Sequence, residues 1–294
     1  MTSAGETPAG ARRRVRLAIR HARERKGYTQ SAVAEEMEWS LSKVMRIENG
    51  EVTIAPNDLR PLLGYLGVKD RAVVSDLLAA AKLSKQRKQW WDAPQLRDGF
   101  TPALRQVVQF EPDATALRHF YPQVFPPFIQ TPAYSRALLA SFRDELPQNV
   151  IEARLAIRAE RRERFASRPN RPKFYAILDE SVFMRAIGGR VVLAEQLKTL
   201  LDMIERFSLR IRAIPLTSEA PVPMLAAFEI TYLHEESAED AILYRERDIE
   251  DQIVDDPHQI RRHREIFERL WQSIHDEAAT IDLIEHHLKN LSDV

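Results

Sequence analysis

The stretch TQSAVAEEMEWSLSKVMRIENG, Thr29 to Gly50, reads as two short helices joined by a tight turn. Thr29 is suited to cap the first, because its hydroxyl can accept from an otherwise orphaned backbone N–H. Val33, Ala34 and Met37 then recur at helical spacing and give that helix one apolar side. Ser40 offers a second N-cap, and Val44 and Ile47 form the buried stripe of the helix it opens. Asn49-Gly50 is a stop, since both residues tolerate the left-handed conformation that ends helices. Leu41, Ser42, Lys43, Met45 and Arg46 are left for the outer face. A short helix with small polar and basic side chains toward its start is what a DNA major groove admits.

This order of elements is similar to that of the lambda-repressor-like (XRE) family of helix-turn-helix DNA-binding domains. Thr29-Gln30 open the second helix, Ala34 lies at its packed centre and Ser40 opens the third. Arg46-Ile47-Glu48-Asn49-Gly50 close the third helix as the family does. The resemblance covers roughly the first 80 residues and implies a five-helix domain that binds double-stranded DNA. Carrying over the family's base-reading positions puts Gln30, Leu41, Ser42 and Arg46 near base edges and Lys43 near phosphate or base, beside the capping residues Thr29 and Ser40. One position departs from the pattern. The turn residue, usually small, is Glu38, followed by Trp39, so a glutamate must accept the turn conformation.

The chain's 294 residues exceed the usual size of one domain, so two are expected. Cysteine is absent, which removes disulfides, thiolate catalysis and cysteine metal sites. The first ten residues lack the apolar segment of a signal peptide, and no run approaches the ~18 apolar residues of a membrane span. A cytoplasmic, nucleoid-associated protein is expected. Net charge is zero but unevenly spread: residues 1–90 hold 17 Lys and Arg against 10 Asp and Glu, and the remainder 26 against 33. A basic first third on an acidic remainder suits a nucleic-acid reader attached to something else.

Residues 1–10 are expected to be a disordered arm and 11–83 the helix-turn-helix domain, with a linker over 84–92 and an α+β domain over 93–294. Helix one is expected from Ala11 to Lys26, with some of its arginines (12, 13, 14, 16, 20 and 23) on phosphates. Helix four should start at Pro56 and helix five run from Arg71 to Leu83. KLSKQRK, residues 82–88, could add phosphate contacts, and Trp90-Trp91 reads as an anchor packing the linker on the second domain.

A helical segment, Gln95 to Phe110, leads into HFYPQVFPPFIQTPAYSRALL, residues 119–139, the most aromatic stretch of the chain. Its prolines break any helix until Ala133. Tyr121, Val124, Pro126, Gln130-Thr131-Pro132 and Tyr134 resemble the string that follows the DNA-binding module in the WhiJ-like regulators of filamentous actinobacteria. That resemblance extends over most of residues 90–290. It implies a DNA-binding regulator with an antitoxin-like second domain, whose members commonly sit beside a gene for a small partner protein. Short strands are read at Lys173–Leu178, Leu209–Ile214, Ala226–Leu233 and Ala241–Tyr244, with an amphipathic helix at Val191–Phe207 and two closing helices after Pro257. The chain is thus mainly α, a five-helix domain followed by an α+β domain with a small sheet and closing helices.

Catalytic patterns are scarce. Asp179-Glu180 follows a strand without a convergent partner, the histidines lack helical zinc spacing, and no phosphate-binding glycine loop or nucleophile elbow is present. No enzyme activity, metal or cofactor is expected. The acidic segment Glu235–Asp256 is either a solvated face or a dock for a basic partner.

Two functions remain in view. One is a sequence-specific transcription regulator, a homodimer whose second domain senses a ligand or binds a partner. The other is an antitoxin-like protein that neutralises a small co-encoded partner and regulates its own operon. Phe267, Leu270, Trp271 and Ile274 are candidates for a dimer surface or for core. Tyr121, Phe125, Phe128 and Tyr134, fixed by prolines, are either core or an apolar wall to which Arg154 and Arg158 add charge for an anionic ligand or acidic partner.

Overall fold

A computed structural model describes residues 6–85, 89–219, 226–233, 236–246 and 251–292. The chain divides into two compact units, Met1–Lys88 and Gln89–Val294. The first is made of five helices: α1 (Pro8–Arg25), α2 (Gln30–Glu36), α3 (Leu41–Glu48), α4 (Pro56–Tyr65) and α5 (Arg71–Leu83). Helix α1 starts at Pro8 rather than Ala11, because Thr7 caps it by accepting from Gly10 N. Residues 1–5 of the expected arm and 86–88 of the expected linker lie outside the described residues. The core is continuous through Val15, Ile19, Val33, Val44, Ile47, Leu59, Leu62, Leu63 and Leu77, which joins all five helices.

The α2–α3 turn follows from local hydrogen bonding. Thr29 Oγ1 accepts from Ala32 N at 3.1 Å and Ser40 Oγ from Lys43 N at 3.2 Å, so both helices carry the expected caps. Glu38 sits at φ +54°, in the left-handed region. Trp39 N donates to Ala34 O and Glu38 N to Glu35 O, the paired bonds that close a helix through a left-handed residue. The glutamate therefore adopts the turn a smaller residue would adopt without strain. Gly50, at φ +77°, ends α3 in the same way.

The second unit is a mixed sheet with helices on both faces. In chain order it holds α6 (Pro102–Phe110), β1 (Ala116–Tyr121), α7 (Pro132–Ala140), α8 (Gln148–Ser167), β2 (Lys173–Asp179), α9 (Ser181–Met184), α10 (Arg190–Phe207), β3 (Arg210–Ile214), β4 (Phe228–Tyr232), β5 (Ala241–Arg245), β6 (Gln252–Val254), α11 (Pro257–Ser273) and α12 (Glu277–Ser292). The strand order is β3-β2-β1-β4-β5-β6, with β1, β2 and β3 parallel and the remaining pairs antiparallel. Strand β1 is central, although its sequence ALRHFY was not expected to be a strand, and β6 was likewise unexpected. A 3-10 turn, Trp90–Asp92, closes the expected linker, and a second, Pro94–Gly99, stands where helix was expected from Gln95, so that helix starts only at Pro102. Trp91 is buried within this unit and Trp90 packs edge-on against it.

Alternation along the strands separates two cores. Phe120, Ile177, Phe228, Ile230 and Leu243 face α11, whose Phe267 and Leu270 are 2% and 4% exposed, with Trp271 stacked on Phe267 at 5.6 Å. The aromatic face of α11, a dimer-surface candidate, is therefore core. Leu117, Phe174, Leu178 and Ile211 face α7, α8, α10 and α12. Between β1 and α7, Gln196 of α10 fixes the proline-rich loop: it accepts from Thr131 N and donates to Ile129 O, both at 2.7 Å. Gln130 Nε2 donates to Phe125 O at 2.6 Å, and Arg162 donates to Gln130 O at 2.9 Å. The Gln-Thr-Pro string is thus a buried polar clasp.

Candidate functional site

In the first unit the candidate surface is the outer face of α3. Leu41 and Met45 are each 43% exposed, and Ser42 and Arg46 are exposed beside them. Arg46 pairs with Glu51, Nε to Oε2 at 3.7 Å. Lys43 lies 3.8 Å from the Trp39 ring centroid and donates to Asp58 at 3.1 Å, so its ammonium is partly committed.

Behind that face lies a clamp. Glu48, at the end of α3, is 0% exposed and accepts from Arg23 through both carboxylate oxygens, at 2.7 and 2.9 Å. Gln30, expected at base edges, gives its amide N–H to the same carboxylate at 2.8 Å. Arg20 and Arg16 donate to Glu48 O, and Arg14 pairs with Glu6 and Asp76. The Glu48 pair raises the Arg23 guanidinium above its ordinary range. The arginines expected on phosphates thus include four that hold the fold, and α1, α2 and α3 are locked by one carboxylate.

In the second unit a row of ionisable side chains crosses the sheet beneath α8. His119 of β1 is in register with Glu229 of β4, and Glu229 with Tyr244 of β5. Arg161 of α8 stands over them. It binds Glu111 at 2.5–2.6 Å, approaches Glu229 at 3.8 Å and lies 4.6 Å from the Phe128 ring centroid. Burial alone would lower the Arg161 guanidinium, but Glu111 and Glu229 overcome it and hold it above its usual range. Burial lifts Glu111 and Glu229, with Arg161 opposing. Among the described residues His119 has no hydrogen-bond partner on either ring nitrogen, though Nδ1 lies 3.7 Å from Glu229 Oε2; it stacks on Phe174 at 4.8 Å, and burial and Arg161 push it down to about 3.

Beside this row opens a cavity of about 270 Å³. Tyr121, Arg154 and Arg158, all singled out from the sequence, line it together with Arg161, Glu246 and Phe142. Tyr121 donates to Glu246 at 3.0 Å. The other aromatics do not join them. Phe125 and Tyr134 pack edge-on at 5.1 Å within the core. Phe128 instead borders a second hollow, of about 340 Å³, shared with Trp90, Phe165, Arg161 and Arg168. Sequence reasoning missed Glu111, His119, Glu229 and Tyr244. The available signal was a glutamate inside the β-forming run AAFEITYL.

Elsewhere the structure gives Asp179 and Glu180 local duties. Asp179 accepts from Ser181 N and Oγ, while Glu180 accepts from Leu216 N at 2.7 Å and pairs with His287 at 2.9 Å. Of the acidic segment Glu235–Asp256, residues 235 and 247–250 lie outside the described residues. Among the described residues no helix is long and apolar enough to cross a membrane, and no group of acids and histidines is placed to hold a metal.

Residues 104–286, nearly the whole of the second unit, match a family described as a domain of unknown function, DUF5753. The chain belongs to the DUF5753 family. Residues 15–77 match a helix-turn-helix domain, so the DUF5753 domain follows a DNA-binding module and the chain is a regulator of that class. No curated protein and no solved structure matches it.

Proposed function

We propose that the protein is a sequence-specific transcription regulator that binds double-stranded DNA as a homodimer through α3, with its regulatory site in the DUF5753 domain. The observation that carries this reading is the outer face of α3, where Leu41, Ser42, Met45 and Arg46 stand exposed on a helix anchored from behind by Glu48. Leu41 meets a thymine methyl and Arg46 a guanine edge, while Ser40 and Thr29 hold the helix starts toward the backbone. Arg46→Ala is expected to cost about 1–3 kcal/mol of binding and to relax preference at one base pair. Anisotropy titrations against DNA selected from a random pool, and against its single-base variants, measure both. A loss equal across all variants would remove Arg46 from the reading positions.

A further inference from the structure

The cavity beside α8 is lined by two cations, one of which has unmet hydrogen-bonding capacity. Arg154 and Arg158 are four residues apart, hence on one helical face, and both line the hollow. Arg158 Nη1 is cut off from solvent and has no hydrogen-bond partner among the described residues. Arg154 makes no hydrogen bond or ion pair among the described residues. A buried guanidinium left this way is costly, and the usual remedy is an anion.

The remaining charged groups are already committed. Arg161 is taken by Glu111 and Glu229, Glu246 accepts from Tyr121, and Asp251 accepts from Thr101 at 2.9 Å. Burial lifts Glu229 and Glu246, with Arg161 opposing at Glu229 and Tyr121 and Arg158 opposing at Glu246. These acids still disfavour a doubly charged guest. The other walls, Leu104, Leu139, Ile157 and Phe142, are apolar, and Phe142 is 39% exposed. The volume, about 270 Å³, lies just under the ~300–1,000 Å³ common for small-molecule sites.

We infer that this cavity binds a small amphipathic monocarboxylate, its carboxylate held by Arg154 and Arg158 and its apolar body lying toward Phe142. The inference names the ligand class for the regulatory site proposed above and rests on that reading for its biological meaning, though not for the binding itself.

Calorimetric titration of the full chain with hexanoate and benzoate, and with hexanamide and benzamide as uncharged counterparts, tests it. The acids are expected to bind at least about tenfold more tightly than the amides, since the arginine pair discriminates by charge. Arg158→Gln is expected to abolish that difference and Arg158→Lys to restore part of it. Circular dichroism reports whether each variant is folded. If Arg158→Gln does not fold, Arg154→Gln carries the same comparison. Equal binding of acids and amides, no binding of either, or undiminished acid binding in a folded glutamine variant overturns the assignment. Regulation is read separately, as the change in affinity for selected DNA on adding hexanoate. A carboxylate that binds without changing that affinity leaves the site standing and removes the regulatory reading.

Discussion

Glu48 shows how one side chain can set the geometry of a reading surface. Its carboxylate receives Arg23 through two bonds and Gln30 through a third, with no exposure to water. Glu48→Ala strands the Arg23 guanidinium, and breaking a buried pair from one side costs about 3–5 kcal/mol. Urea unfolding of the first unit's transition should show a loss of that order. His119 makes a different residue-scale prediction. Folded, it stays neutral down to about 3, whereas the unfolded chain protonates its histidine near the ordinary value of about 6.5. A lowered folded value means that stability is lost as pH falls below about 6.5, with one extra proton bound by the unfolded state. The lifted Glu111, Glu229 and Glu246 act in the opposite sense, their contribution being present at low pH and lost as pH rises. His119→Phe isolates the histidine. From pH 7.5 to about pH 4.5 the wild type should lose about 2–3 kcal/mol relative to the variant, measured by denaturation at each pH. Parallel curves for the two proteins would show that His119 does not govern acid stability.

At the scale of elements, the turn between α2 and α3 carries strain that glycine would remove. A left-handed L-residue costs roughly 1–2 kcal/mol, and glycine gives back about 0.4–1 kcal/mol through a freer unfolded chain. Glu38→Gly should therefore raise stability by up to about 1 kcal/mol, and Glu38→Ala should leave it unchanged; thermal melts of the two variants decide. The departure at Glu38 was visible in the sequence because the resemblance to the lambda-repressor-like family put a usually small turn residue at that position. Helices α4, α5 and α10 were legible from their own residues, with Pro56, the Arg71–Leu83 apolar spacing and the Val191–Phe207 stripe marking them. Strand β1 was not legible. Being central, it is buried on both faces, so ALRHFY shows no clean alternation, and Arg118 and His119 break the apolar run. The site suffered from the same loss. Arg154 and Arg158 stood out by helical spacing, but Glu229 joins them at the cavity only through a sheet whose middle strand had gone unread.

For the whole molecule, one eight-residue reading helix covers only a few base pairs, too few to specify a genomic site. The homodimer proposed here should protect two half-sites about one helical turn apart, with α3 from each copy in successive major grooves. Footprinting on selected DNA, with light scattering of the complex, measures the spacing and the stoichiometry. A single half-site bound by one chain would end the dimer proposal. The strand order carries a separate consequence for how the protein is made. The first unit closes through contacts among its own early residues, but β1 pairs with β2 at Leu117↔Phe174 and with β4 at Ala116↔Tyr232. Domains fold as they leave the ribosome, at ~5–20 residues per second. The DNA reader is therefore complete while most of the sheet is still untranslated, and β1 waits exposed for partners that arrive more than fifty and more than a hundred residues later. A message cut short within the second unit would yield a chain with a folded helix-turn-helix domain and no sheet which, on the function proposed above, would occupy operators without answering the regulatory site, a dominant competitor of its own full-length product.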